Sequence, residues 1–152
     1  MKNTSKGGIN MLGQALPVSE AKAKFSELHR LAGLGLEVVS TNKHHPAQSV
    51  SMIRADILTA ALETMKFSLM ETRDDELGVT TIAVREIPVY GEGPTREEAI
   101  VSLVEAALDY SEVYREKIEL FSRADTPEQQ GLMLKLMRCG TDHEAIKRTL
   151  GF

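Results

Sequence analysis

Leu16-Pro17-Val18-Ser19-Glu20-Ala21-Lys22-Ala23-Lys24-Phe25, then Val38-Val39-Ser40-Thr41-Asn42-Lys43-His44-His45-Pro46, decide how this chain folds. Leu16-Pro17-Val18 is a short apolar lead-in. Ser19 can cap a helix running to about Leu31, which Gly33 and Gly35 then end. Along that helix Ala21, Phe25, Leu28 and Ala32 recur at steps of four, three and four, a spacing that predicts a buried stripe. Lys22, Ser26 and His29 share one flank and Lys24 lies on the other. Leu36 to Thr41 reads as a strand, Asn42 to Pro46 as a turn and Gln48 to Ile53 as the returning strand of a hairpin. A helix follows from about Ala55 to Met65, with Ile57, Ala60, Ala61 and Met65 expected to face inward.

Working outward, a second unit begins at Lys66. Lys66 to Arg73 and Val79 to Glu86 are strand candidates joined by the polar break Asp74-Asp75-Glu76-Leu77-Gly78, and should pair as another hairpin. Gly91-Glu92-Gly93-Pro94 punctuates the chain. Thr95 and Glu98 form a capping box opening the longest helix, to about Phe121, with Ile100, Leu103, Val104, Ala107, Tyr114, Ile118 and Phe121 on its packed face. Thr126, Pro127 and Gln129 start a short helix that Gly140 ends; Thr141 and Glu144 open the last, which Gly151 stops. The expected class is α+β: a strand-helix-hairpin-helix module over 15–65, a β-hairpin plus long helix over 66–122 and a C-terminal helical pair over 123–152. Residues 1–14, small and polar, are expected to form a mobile tail, with Met11 as an alternative start.

Composition narrows the function. The 152 residues are 42% hydrophobic, enough for a sizeable core without staples. Cys139 is alone, so no internal disulfide or cysteine-based zinc site is expected, and no apolar run approaches the ~20 residues needed to span a bilayer. A cytoplasmic protein without membrane association or cofactor is the expectation. The net charge of −4 is unevenly spread: residues 1–66 hold 8 Lys/Arg against 5 Asp/Glu, whereas residues 67–152 hold 10 against 17. A basic front and an acidic back point to two different partners.

Chemistry-bearing clusters are few. His44 and His45 are adjacent at a turn tip, without the one-face geometry of a helical i, i+4 pair or an accompanying carboxylate or cysteine cluster, so no metal is expected. Asp74, Asp75 and Glu76 are consecutive, unlike catalytic carboxylates held apart across a cleft. No nucleophile-base arrangement or phosphate-cradling glycine loop stands out, and the chain does not read as an enzyme.

The residues Pro17-Val18-Ser19-Glu20-Ala21-Lys22, Phe25, Val38 to Pro46, Met52-Ile53 and Asp56 together resemble the N-terminal module of the Phd/YefM antitoxins, with its Ser-Glu-Ala-Arg helix opening and Thr-Arg-type hairpin tip. The resemblance covers about 16–58. It implies a homodimer, or higher homo-oligomer, binding operator DNA through Lys22 on the first helix and Thr41, Asn42 and Lys43 at the tip. Lys24, Ser26, His29 and His44 are added from their positions beside these. Two departures stand out: lysine replaces the usual arginine at 22, and histidine stands at 44 where glycine is common. Lysine suits phosphate better than bidentate reading of guanine, while Asn42 could read adenine.

Val89-Tyr90-Gly91-Glu92-Gly93-Pro94-Thr95-Arg96-Glu97-Glu98-Ala99, continued by Leu103, Ala107 and Tyr110, looks like the HicB-type antitoxin fold, whose hairpin and helix contact a toxin. The generic reading, an amphipathic helix on a hairpin, fits equally. The closing helices resemble the first two of a helix-turn-helix with no recognition helix following, or else a helical hairpin for packing or partner contact. Leu132, Met133, Leu136 and Met137 could give an adaptable apolar surface to a partner, or be core. The reading is thus an antitoxin-type regulator that represses its own operon and neutralises a small toxin with its acidic back. The alternative is a non-enzymatic binding or assembly protein, an orphan homo-oligomer without specific DNA recognition.

Overall fold

The computed structural model describes residues 15–152, so the tail expected over 1–14 lies outside the described residues. The fold is α+β, in two compact units that divide between Ala60 and Ala61.

The first unit opens with β1 (Leu16–Pro17), which pairs in parallel with β2 (Val38–Asn42); β2 pairs antiparallel with β3 (His45–Met52), giving the order β1-β2-β3. The expected single first helix is two: α1 (Val18–Ala23) and α2 (Phe25–Gly33). The first begins at Val18, after Pro17, so Ser19 is not its cap. The break falls at Lys24, whose φ of −110° and ψ of 16° leave the helical region. It re-phases the stripe: Leu28 and Ala32 stay buried with Val38, but Phe25 swings onto the open face, 55% exposed, its ring 5.9 Å from that of His29. After β3 comes α3 (Ala55–Glu63), in whose first turn the Asp56 carboxylate accepts from the Ile57 amide and from Arg54. The inward residue here is Leu62, while Ile57, Ala60 and Ala61 are exposed. Alanine is as stable on a solvated helix face as on a packed one, so the alanines misled the phase.

In the second unit β4 (Leu69–Asp74), β5 (Val79–Val84) and β6 (Tyr90–Gly93) form an antiparallel sheet in that order. The hairpin expected here is therefore a three-stranded sheet. Its third strand hides in a stretch that reads as a turn, because its glycines serve packing. A Cβ on Gly91 would lie 2.2 Å from the Ala99 carbonyl oxygen and from the Leu103 nitrogen, so the helix backbone rests directly on the strand. That helix is α4 (Arg96–Glu116), capped by Thr95, whose Oγ1 accepts from the Glu98 amide at 3.2 Å. It stops five residues before the expected Phe121: Lys117 leaves the helical region and α5 (Ile118–Ala124) starts anew, turning Ile118 outward. The Asp74 carboxylate accepts from the Glu76 and Leu77 amides, so it shapes the β4–β5 turn.

Helices α6 (Pro127–Met137) and α7 (His143–Leu150) complete the core. Thr126 and Gln129 form the full reciprocal cap at α6, and Gly151, at φ +110°, closes α7. The cap of α7 is Asp142 rather than Thr141, its carboxylate accepting from the Ala145 amide. Alternate residues of β5, including Ile82 and Val84, meet Ala99, Leu103 and Ala107 of α4, Met133 and Leu136 of α6, and Ile146 and Leu150 of α7 in one buried cluster. Among the described residues no helix is long and apolar enough to cross a membrane.

Candidate nucleic-acid interface and partner surface

The parallel pairing of β1 with β2 sets Leu16 opposite Ser40 and Pro17 opposite Thr41. The chain enters α1 immediately after Pro17, so the first helix starts beside the hairpin tip. Lys43 and His44 form the two-residue turn between Asn42 and His45. The register shifts between Thr41, paired with Ser49, and Asn42, paired with His45, so 46–48 bulge from the returning strand.

Lys22, Ser26, His29, Lys43 and His44 are all exposed, and Thr41 is half-buried. Two of the expected DNA-facing residues have other duties. Lys24, at the break, makes an ion pair at 2.9 Å with Glu20, four residues back in α1. The Asn42 Oδ1 accepts from the His44 amide at 3.0 Å, which holds the turn in shape. Reading adenine with both ends of the amide would compete with that bond. No ion pair involves Lys22 or Lys43 among the described residues.

Lys22 stands on the wall of an apolar groove of about 350 Å³ in the same unit, lined also by Val18, Phe25, Leu28, Val38, Val50 and Met52 among others. Val18, Phe25 and Val50 are each at least half exposed. The groove escaped sequence reading because it is created by the break at Lys24, which no glycine or proline announces.

In the second unit Leu132, Met133 and Leu136 are 2%, 0% and 1% exposed and Met137 is half-buried, so packing inside the chain occupies them. An aromatic group supports α4 near its end: Tyr114 stacks on Phe121 with centroids 4.5 Å apart, and Tyr110 meets Phe121 edge-on. Burial, and then the nearby Asp125 charge, push the Tyr114 phenol up to about 12. The hydroxyl itself makes no hydrogen bond among the described residues, so it is the charge of Asp125 that it feels. Lys135 donates to the Met65 carbonyl at 2.7 Å, and burial, with Lys66 nearby, holds its ammonium below the usual lysine range. Among the described residues no group of three or more His, Cys, Asp or Glu is placed to hold a metal ion.

This arrangement of two small sheets and seven helices among the described residues is an antitoxin fold. It is similar to the crystal structure of an antitoxin part of a toxin/antitoxin system from Syntrophomonas wolfei subsp. wolfei, with a TM-score of 0.66 and 16% identity over 90% of this chain and 95% of that one. Among curated proteins none matches significantly in sequence. The PHD-like family, described as antitoxin of toxin-antitoxin, RelE/RelB, TA system, matches residues 11–150, and the chain belongs to it. It is an antitoxin of a toxin–antitoxin system, and a toxin is its counterpart.

Proposed function

We propose that this antitoxin represses its own operon by binding operator DNA as a homodimer through its first unit, and neutralises a small toxin with its second. The observation that carries the DNA reading is the juxtaposition made by the β1–β2 pairing: a helix bearing exposed Lys22 starts beside a hairpin tip bearing exposed Lys43. The first unit is of Phd/YefM type in this reading. Lys22, Lys43 and His44 contact phosphate, while Ser26, His29 and Thr41 flank them. Lys24 and Asn42 chiefly hold the helix and the turn. The apolar groove, whose wall includes Lys22, is the homodimer face.

The second unit, HicB-like in this reading, carries an excess of acidic residues that steers a basic toxin and covers its substrate path. The molecule needs no catalytic chemistry for either role. Cytoplasmic location follows from the work proposed.

The test is fluorescence anisotropy of the purified protein with its upstream DNA across a salt series, beside a Lys22→Ala, Lys43→Ala double variant. Selective binding with a steep salt slope, lost in the variant, is expected, since each phosphate contact releases counterions. Weak binding to any DNA, unchanged in the variant, would favour the homo-oligomeric assembly protein, for which the exposed groove is then the reason.

A further inference from the structure

A groove of about 190 Å³ runs between α4 and α7, floored by Ile100, Val101 and Val104 and flanked by Glu97, Glu144 and Lys147. Val101, in the second turn of α4, is 59% exposed between the buried Ile100 and Val104. One turn further along the same flank of α4, beyond Leu108, lies a second recess of about 60 Å³. Neither reaches the roughly 300–1,000 Å³ of a small-molecule site, but a row of shallow recesses at helical spacing accepts side chains projected from another helix.

The adjoining ridge of α4 states the charge of that helix. Glu98, Glu105, Asp109, Glu112 and Glu116 follow at steps of seven, four, three and four, which places them within one narrow stripe, and all five are exposed. None of them makes an ion pair among the described residues. A helix-long acidic stripe beside an apolar groove is complementary to a helix with an apolar face and a basic flank.

We infer that the α4–α7 groove receives a basic amphipathic helix of the toxin, its apolar side chains on Ile100, Val101 and Val104 and its cations along the acidic ridge. This rests on the reading that the second unit neutralises a toxin and adds where, and by what chemistry, the toxin is held. Val101 anchors the contact and the ridge sets its rate.

The experiment is titration calorimetry and stopped-flow association of the full chain with its purified cognate toxin. Val101→Asp is expected to lower affinity at least tenfold with an unchanged melting temperature, and Glu98→Lys with Glu105→Lys to slow association and flatten its salt dependence. Should Val101→Asp fold poorly, Val101→Ser is read instead, with a several-fold loss expected. Wild-type affinity in the folded Val101 variant overturns the groove assignment while leaving neutralisation standing. Failure of the unaltered chain to bind overturns both.

Discussion

The two units solve the same problem with unequal means. The second buries a continuous cluster reaching from Ile82 to Leu150, whereas among the described residues the first clusters only Leu28, Ala32 and Val38 and leaves Val18, Phe25, Leu34, Leu36 and Val50 in solvent. Three buried apolar residues offset little of the entropy of ordering a chain, so the described part of the first unit has the weaker core. The difference teaches that the second unit carries the larger core and the first the larger exposed apolar surface. If the proposed homodimer forms through the first unit, dimerisation would add order there, and DNA binding would be linked to it.

The comparison breaks most severely at Gly91. Gly91→Ala drives a methyl into the Ala99 and Leu103 backbone, which cannot give way as a side chain tip would. It is expected to cost about 3 kcal/mol or more by chemical denaturation. The second unit's cooperative transition should fall with it.

Next is Leu28→Ala, which removes the largest side chain of the first unit's small core. A loss of about 2–4 kcal/mol is expected there. Hydrogen exchange should show amides of α2 and β2 losing protection while α4 and β5 keep theirs. Equal loss in both units would mean that they fold as one and would erase the contrast.

The smallest effect sharpens the picture of the larger core. Tyr114→Phe deletes a buried hydroxyl without a partner and keeps the ring stacked on Phe121. It should change stability at neutral pH by less than about 1 kcal/mol, in the stabilising direction. At high pH the variant differs more. The folded phenol ionises near 12 and the unfolded one near its ordinary 10. Between those values the folded state holds a proton that the unfolded state has lost, so stability falls as pH rises through that window. The variant should lack that part of the alkaline fall, read by circular dichroism melts.

How much of this was legible follows from which signals are local. Most of the order of elements, the Thr95 and Thr126 caps and the Gly151 stop were readable, because each depends on residues within a turn of one another, whereas α6 ends at Met137, before the expected Gly140. The breaks at Lys24 and Lys117 were not: neither lysine differs chemically from one inside a helix, and the two breaks changed what Phe25 and Ile118 face. Strand β6 was missed because Gly91 and Gly93 read as turn residues, and only α4 lying against them shows that their value is having no side chain. At the candidate interface Lys22, Lys43 and His44 were legible as exposed charge or polarity. The duties of Lys24 and Asn42 were not, since each depends on a bond made only in the folded turn or helix.

Lys135 and Gly131 lie one turn apart on α6, and both meet Met65: the lysine donates to its carbonyl, and the glycine leaves room for its thioether, whose Sδ and Cε come within 3.0 Å of where a Cβ would stand. The stretch where the chain leaves α3 is thereby clamped by residues of the second unit alone. The clamp asks of the preceding segment little beyond a backbone oxygen and a flexible apolar side chain. Met65, Gly131 and Lys135 all belong to the second unit, so the clamp closes within that unit and fixes where its chain begins.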